Sequence, residues 1–270
     1  MTFFTMAAEF TLIVPFYRNC KMLARQVEEW NQYPEGVKVM CVDDGSPEPA
    51  LPIIAKGLDS GFRRNDVELY RILIDIEWNR GGARNLGATM ATTDWIVQID
   101  IDHILPADAA RALLQFLSIQ NPWYRFPRWR RGKADETRKK DQIPESTEYG
   151  EIHPHVDSYL IRRELYWKVG GYDEDYSGCL GGGNMFLRRL EKIAGPALIL
   201  GDSSDPNNPK SKIENPKSKI RLEVYTRSEI KDASDWSLPR DKEEYSKRRR
   251  MKGDHDSPRN PLRFPWTQQL

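Results

Sequence analysis

The stretch Trp95-Ile96-Val97-Gln98-Ile99-Asp100-Ile101-Asp102-His103 is a short apolar run that ends in two acids and a histidine. A run of this length, rich in β-branched residues and bounded by polar ones, predicts a strand that is buried on both faces. The same layout occurs twice earlier in the chain, in Phe10–Asn19 and in Val37–Ser46. The carboxyl ends of parallel strands lie at one edge of their sheet. We therefore expect the three polar ends to lie close together.

Amphipathic segments separate the apolar runs. Strands are predicted at Phe10–Pro15, Val37–Val42, Val67–Ile76 and Trp95–Ile99. Helices are predicted, from apolar residues at helical spacing, at Asn19–Gln32, Ala50–Leu58, Gly81–Ala91 and Ala107–Gln120. Alternation of this kind indicates βαβ units. The sequence thus predicts an α/β fold with a mainly parallel, Rossmann-like sheet flanked by helices.

The chain divides by composition into three parts. Residues 8–200 carry the strand and helix patterns and predict one domain, with a mobile loop at 121–150, a strand at Val156–Ile161 and a helix from Asn184. Residues 201–222 are rich in Gly, Asp, Ser, Asn and Pro and contain the hexapeptide Asn-Pro-Lys-Ser-Lys-Ile twice, which predicts a linker. Residues 223–270 are highly charged and predict a C-terminal tail, of which Pro261–Trp266 is expected to pack back onto the domain.

Overall composition excludes several classes of protein. Of 270 residues 39 % are hydrophobic, which is enough to build a core and excludes full disorder. The chain has 41 basic and 40 acidic residues, and this balance argues against a dedicated nucleic-acid-binding protein. Three cysteines without a CxxC pair favour buried thiols in a reducing compartment. No apolar run approaches the ~18 residues of a membrane span, so we expect a cytoplasmic protein with at most peripheral membrane contact.

The strand-end acids predict a cation site. Asp100 and Asp102, two positions apart in a strand-end loop, can converge on one hard divalent cation. An imidazole ligand from His103 would favour Mn²⁺ over Mg²⁺. Such a cation would bridge the two phosphates of a nucleotide sugar and neutralise the leaving diphosphate.

Four segments, taken together, resemble those of family 2 glycosyltransferases with the GT-A fold: Ile13–Asn19, Val42–Ser46, Asn79–Gly87 and Asp100–Asp102. The resemblance covers residues 10–195 and implies sugar transfer from a UDP- or GDP-linked donor to a hydroxyl of a saccharide or glycan precursor. It also implies the residues that bind the nucleotide sugar. These are Pro15, Tyr17, Asp43 and Asp44 around the base, with Asp44 as the base-binding acid, and Arg80, Arg84 and Asp100 near the diphosphate.

At the position of the catalytic base, this sequence differs from the family pattern. Val169–Glu174 resembles the segment that follows the acceptor-side strand in this family, after which members carry an acid in a Gly-rich turn before a helix. That acid deprotonates the acceptor hydroxyl, but the matching residue here is Gly183. We expect Asp175, or Asp173, to serve as the base instead.

Alternatives remain open at this point. A nucleotidyltransferase would need a basic Gly-rich loop after the first strand, which Pro15–Cys20 lacks, and a chain without a base would bind nucleotide sugar without transferring it. Of His153 and His155, one can join the cation site. The aromatic and basic run Trp123–Arg131 is interpreted as a loop that contacts acceptor or phosphate, with single-stranded nucleic acid as the rival ligand.

Overall fold

The computed structural model describes residues 9–58, 66–76, 79–117, 121–131, 149–178, 181–200, 220–225 and 261–270. The strands are β1 (Phe10–Phe16), β2 (Val37–Asp43), β3 (Val67–Ile72), β4 (Trp95–Gln98), β5 (His103–Ile104), β6 (Trp123–Arg125), β7 (Arg128–Arg131), β8 (Tyr149–Ile152), β9 (Tyr159–Arg162), β10 (Leu198–Ile199), β11 (Leu222–Tyr225) and β12 (Trp266–Gln268). The α-helices are α1 (Cys20–Trp30), α2 (Leu51–Gly57), α3 (Arg80–Met90), α4 (Ala107–Phe116), α5 (Arg163–Lys168) and α6 (Gly182–Ala194), and a 3₁₀ turn spans Glu174–Tyr176.

The larger sheet has the strand order β10-β6-β9-β4-β1-β2-β3-β12 among the described residues. Its centre, β4-β1-β2-β3, is parallel, whereas β9 and β12 run antiparallel to their neighbours. The predicted strands and helices up to residue 117 are confirmed, with shifts of a few residues at their ends. The α/β fold class is therefore confirmed, as a single domain.

Helices cover both faces of this sheet, so successive residues of β1 point alternately into two apolar cores. Leu12 and Val14 pack in one core with Trp30 of α1, and Ile13 packs in the other with Leu86 of α3. A strand buried on both faces needs apolar residues at successive positions, which explains the unbroken apolar run of β1.

A second, smaller sheet has the order β5-β11-β7-β8 in the part of the chain that is described. The mobile loop predicted at 121–150 is wrong for its first residues, because β6 joins the larger sheet and β7 the smaller one. Trp123 and Tyr124 are fully buried, so these aromatic rings are not available to stack on nucleic-acid bases. The polar remainder of that loop, 132–148, lies outside the described residues.

Two parts of the predicted linker and tail belong to the sheets. Strand β11 lies between β5 and β7, and β12 pairs with the edge strand β3. The duplicated hexapeptide, up to residue 219, and the charged residues 226–260 lie outside the described residues, so the division at 201 and 223 stays a prediction there. None of the described helices is both long and apolar enough to cross a membrane.

Candidate active site

The site lies where the strand order reverses. From β1 the chain proceeds through β2 to β3 on one side, and then returns to place β4 on the other side of β1. Open α/β sheets bind ligands in the crevice outside the carboxyl ends of the strands at such a point. The three polar clusters follow β1, β2 and β4, so the fold brings them to this crevice.

Pro15 and Tyr17 shape the end of β1. Pro15 is buried and pairs with Val42 of β2, but it lies beyond Ile13, where the pairing with β4 ends. A proline is tolerated there because one side of the strand no longer needs a backbone donor. The Tyr17 hydroxyl donates a hydrogen bond to Asp75 at 2.7 Å, so the ring stands at the rim of the crevice.

Asp43 holds the loop after β2 in shape. Its fully buried carboxylate accepts hydrogen bonds from the backbone N–H of Ser46 at 2.8 Å and of Ala50 at 3.1 Å, and from Arg71 at 2.5 Å. Gly45 within this loop has φ +72°, and a Cβ there would lie 2.3 Å from the carbonyl oxygen of Ile74. Only glycine fits position 45. The described contacts of the Asp43 carboxylate are all to protein groups, so they maintain the loop.

Asp44 is arranged differently. It is buried, and neither carboxylate oxygen has a hydrogen bond of normal geometry within the described structure. Burial raises the pKa of Asp44 well above its usual value, and the neighbouring Asn79 amide and Arg80 charge offset this only in part. A buried acid without a donor is unfavourable in the protein alone, but it is suited to accept N–H groups from a ligand.

A group of potential cation ligands lies at the end of β4. One carboxylate oxygen of Asp100 and one ring nitrogen each of His103 and His155 all lie within 4.8 Å of one another. Nδ1 of His155 is 3.1 Å from Oδ2 of Asp100, and the two imidazoles meet edge to face. His155, which sequence reasoning offered only as an alternative, thus joins two of the three predicted ligands.

Asp102, the third predicted ligand, is not part of that group. It is half-buried, and its backbone carbonyl accepts a hydrogen bond from Tyr225 of β11 at 3.2 Å. Burial, together with the negative charge of Asp100, raises the pKa of Asp102 to about 6. The two acids are therefore close enough to repel each other, which is the situation that a cation relieves.

Charges and burial prepare Asp100 and His103 as ligands. Burial alone would raise the pKa of Asp100, but the positive charges around it, that of Arg84 foremost, outweigh burial and hold it well below its usual range. Burial and the facing His155 hold the pKa of His103 well below its usual value. These shifts favour an ionised Asp100 and a neutral His103, which are the forms that bind metals. Nδ1 of His103 lies 2.6 Å from the Ser158 hydroxyl and Nε2 lies 3.1 Å from Nη1 of Arg128, so a cation would have to displace one of these partners.

The two predicted arginines take different places. Arg84 is fully buried, and its Nη2 donates to Asp100 at 2.6 Å and to the backbone carbonyl of Asp157 at 3.2 Å. Arg80 is one-third exposed, with Nη1 3.8 Å from Asp100 and 3.7 Å from Asp157. Arg84 thus orients Asp100 from behind, while Arg80 is the guanidinium that reaches the crevice.

Comparison with known proteins identifies the family. The sequence profile described as "Glycosyl transferase family 2" matches residues 11–180, more than half of the chain. The chain belongs to glycosyl transferase family 2. No curated protein matches it by sequence.

Solved structures share the fold of this family 2 chain. S. aureus TarS superposes with a TM-score of 0.54 at 16 % identity, over 82 % of this chain and 37 % of TarS. TarS 1–349 in complex with UDP-GlcNAc gives 0.55 at 15 % identity, over 81 % and 59 % of the two chains. The mannosyltransferase PcManGT from Pyrobaculum calidifontis, in complex with GDP-Man and Mn²⁺, gives 0.53 at 14 % identity, over 96 % and 67 %. These likenesses confirm the GT-A fold, and this chain spans well under half the length of TarS.

The two acids predicted as catalytic bases, Asp173 and Asp175, lie in the turn after α5. Asp173 caps the 3₁₀ turn, where its Oδ1 accepts from the backbone N–H of Asp175 at 3.1 Å. Asp175 forms an ion pair with Arg263, close to β12. Through these contacts Asp173 stabilises the turn, and the Asp175 side chain lies next to the C-terminal segment. A catalytic role for either acid stays a prediction.

Asn85 and Tyr172 connect this turn to the site. The Asn85 amide donates to the carbonyl of Tyr172 at 2.9 Å and to Glu174 at 2.8 Å, and its oxygen accepts from the backbone N–H of Tyr172 at 2.8 Å. The Tyr172 hydroxyl then donates to Asp157 at 2.8 Å. Sequence reasoning missed Asp157, because a polar residue ahead of a predicted strand gives no signal about what it will face.

Proposed function

We propose that this protein transfers a sugar from a nucleoside diphosphate sugar to a hydroxyl of a saccharide or glycan precursor, with Mn²⁺ or Mg²⁺ as cofactor. The observation that carries the proposal is the convergence of three unlike groups at one edge of the sheet. These groups are the buried carboxylate of Asp44, which has no hydrogen bond of normal geometry in the described structure, the partly exposed guanidinium of Arg80, and the Asp100–His103–His155 group. A nucleotide sugar offers a matching partner for each group: N–H donors on its base for the carboxylate, a diphosphate for the guanidinium, and diphosphate oxygens that bind a divalent cation.

Asp44 recognises the base. An ionised carboxylate accepts hydrogen bonds only, and uracil and guanine both offer ring N–H donors to such an acceptor. Hydrogen bonds to a charged acceptor such as the Asp44 carboxylate are stronger than bonds between neutral groups. Because Asp44 is buried, water does not compete for these bonds. The complexes of fold neighbours with UDP-GlcNAc and with GDP-Man support a donor of this chemical class.

Asp100, His103 and His155 would hold the cation, and Asp102, which was also predicted as a ligand, would add a further carboxylate. When bound, the cation neutralises charge on the leaving nucleoside diphosphate. A donor set of one or two carboxylates and two imidazoles fits Mn²⁺ better than Mg²⁺, which prefers oxygen ligands. Arg84 keeps Asp100 ionised and oriented, and Arg80 supplies a movable positive charge for the diphosphate.

Thermal unfolding with UDP, GDP, UDP-GlcNAc and GDP-Man, each with and without Mn²⁺, tests the proposal. A ligand at a hundred times its Kd should raise the melting temperature by roughly 5–10 °C. The shift should require Mn²⁺ and should disappear in Asp100→Asn. The matched control is Asp94→Asn, since Asp94 is exposed and precedes β4 at the opposite end of the sheet. No shift with any nucleotide, or an equal shift in Asp100→Asn, would contradict the proposal.

A second function, nucleotide-sugar binding without transfer, is favoured by one observation. The first residues of α6 are Gly182 and Gly183, where the family resemblance implies a catalytic acid. Calorimetry that finds donor binding in a protein that releases no UDP or GDP from its donor would favour this second function.

A further inference from the structure

The space beside Gly183 is filled by a carboxylate from another part of the chain. A Cβ on Gly183 would lie 2.1 Å from Oδ1 of Asp157, 2.7 Å from its Cγ and 2.8 Å from its Oδ2. These distances are far below contact, and Asp157 is buried, so it has little room to move. A side chain at position 183 therefore requires Asp157 to shift or to be absent.

Surrounding groups fix the orientation of the Asp157 carboxylate. Its Oδ1 accepts from the Tyr172 hydroxyl, and the Tyr172 ring stacks on Phe186 with centroids 4.6 Å apart. Burial raises the pKa of Tyr172 well above its usual value, and the charge of Asp157 adds to this, so the hydroxyl keeps its proton and remains a donor. Asp157 is thus held in one position from the side of α6.

Asp157 also faces the candidate cation site. Its Oδ2 lies 3.7 Å from Nη1 of Arg80, and the same nitrogen lies 3.8 Å from Oδ1 of Asp100. One guanidinium therefore separates Asp157 from a predicted cation ligand. A sugar attached to a diphosphate at the cation would present its C1 to this region, where an acceptor hydroxyl must also enter.

We propose that Asp157 accepts the proton of the acceptor hydroxyl, in the space where the family resemblance implies an acid at position 183. The proposal rests on the proposed sugar-transfer function. The hydroxyl oxygen forms a bond to C1 of the sugar while the bond between C1 and the diphosphate oxygen breaks. The electron pair of that bond leaves with the nucleoside diphosphate, the proton passes to Asp157, and C1 is inverted.

A purely structural role for Asp157, as counter-charge for Arg80 and anchor for Tyr172, makes different predictions. Asn at position 157 keeps an oxygen that accepts from Tyr172 and keeps the shape of the side chain. Asp157→Asn should therefore fold and bind donor. It should nevertheless lose about 10²–10⁴-fold in transfer if the carboxylate accepts a proton.

Exchanging the acid between the two positions is the decisive experiment. The variants are Asp157→Gly, Gly183→Asp and the double variant Asp157→Gly/Gly183→Asp, with Asp94→Asn as control. The assay is release of UDP from UDP-GlcNAc or of GDP from GDP-Man, with water and with a methyl glycoside as acceptor. Melting temperature and donor-induced shift with Mn²⁺ are measured on each variant.

We expect each single variant to lose at least ~10²-fold in release, and the double variant to recover to within about tenfold of wild type. Gly183→Asp should also melt at a lower temperature, because its side chain collides with Asp157. A folded, donor-binding double variant no more active than Asp157→Gly would overturn the proposal, as would wild-type activity in Asp157→Asn. A wild-type protein that binds no nucleotide, or that binds donor and releases nothing, would overturn the proposed sugar transfer and this inference with it. An active wild type beside a fully active Asp157→Asn, or beside an inactive but folded and donor-binding double variant, would overturn this inference alone.

Discussion

Asp44 is the residue at which function and stability oppose each other most directly. Its carboxylate is buried without a hydrogen bond of normal geometry, and its pKa is raised well above the usual value by burial. An aspartate with a raised pKa in the folded state loses stability as the pH rises from its unfolded pKa towards its folded one. Asp44→Asn should therefore melt at a higher temperature than wild type at about pH 7.5, and the gain should shrink towards about pH 4.

The matched control for Asp44→Asn is the neighbouring Asp43→Asn. Burial raises the pKa of Asp43 too, but Asp43 has three donors, Arg71 among them. Asp43→Asn would turn an amide NH₂ towards these donors, so it should lower the melting temperature at neutral pH. Differential scanning calorimetry across the pH range measures both variants. A lower melting temperature for Asp44→Asn at neutral pH would mean that the carboxylate is already satisfied within the protein. The stabilised variant should also lose its nucleotide-induced shift, which would place this acid among the residues kept for function.

Single residues differ in how far the sequence predicts them. Asp44 and Asp100 could be found because each directly follows an apolar run, and the end of a parallel strand has a known place in the sheet. Asp157 could not be found, since its significance depends on the close approach of α6, which no local pattern encodes. Asp175 is close in sequence to the expected base, but the turn directs it to Arg263.

At the scale of elements, α3 lies unusually close to β1. A Cβ on Gly87 would lie 2.4 Å from Cγ2 of Ile13, so the glycine allows the helix to pack directly on the strand. This contact sets the distance between the β1 end and the arginines of α3. Gly87→Ala should lower the free energy of unfolding by about 1–3 kcal/mol through overpacking, although alanine favours helix.

Urea unfolding of Gly87→Ala measures this effect, and Gly182→Ala provides the control. The nearest atom to a Cβ on Gly182 is Cβ of Tyr176 at 3.5 Å, an ordinary contact, so its stability should stay the same or rise by up to ~1 kcal/mol. Equal stabilities for the two variants would mean that α3 can move away from β1 at no cost. In that case the arginines of α3 would not be held in place by this contact.

Element boundaries followed from the sequence wherever a strand is buried on both faces. The strands β1, β2 and β4 match their apolar runs closely because both faces demand apolar residues. The prediction of a contact loop at Trp123–Arg131 is wrong for the strands that form there. Aromatic residues that alternate with arginines are typical of a contact surface, and the same pattern occurs here in two short strands. In the fold, Trp123 and Tyr124 fill the core and Arg125 donates to a backbone carbonyl.

At the scale of the whole molecule, the last described residues of the chain belong to the larger sheet. A strand of three residues, such as β12, is too short to show an alternating hydrophobic pattern. The charged composition of the last part of the chain therefore predicts a tail and gives no sign of a strand. The described residues 261–270 instead complete an edge of the larger sheet, and their backbone reaches the turn that precedes α6. Glu174 of that turn is buried and accepts from the N–H groups of Leu262 and Arg263 at 2.8 and 3.2 Å.

Removing residues 261–270 should therefore destabilise the whole domain. Glu174 would lose two backbone donors, which costs about 1–3 kcal/mol or more, and β3 would become an exposed edge that promotes aggregation. Urea unfolding and light scattering measure the two effects. Gln268→Ala is the control, because the Gln268 side chain is exposed and donates within the same segment, to the Leu270 carbonyl. Glu174→Gln should be harmful in the full chain, where its amide would face two N–H groups, but much less so in the shortened chain. Equal effects of Glu174→Gln in both chains would show that the C-terminal segment does not depend on Glu174, and that its strand pairing with β3 alone holds it in place.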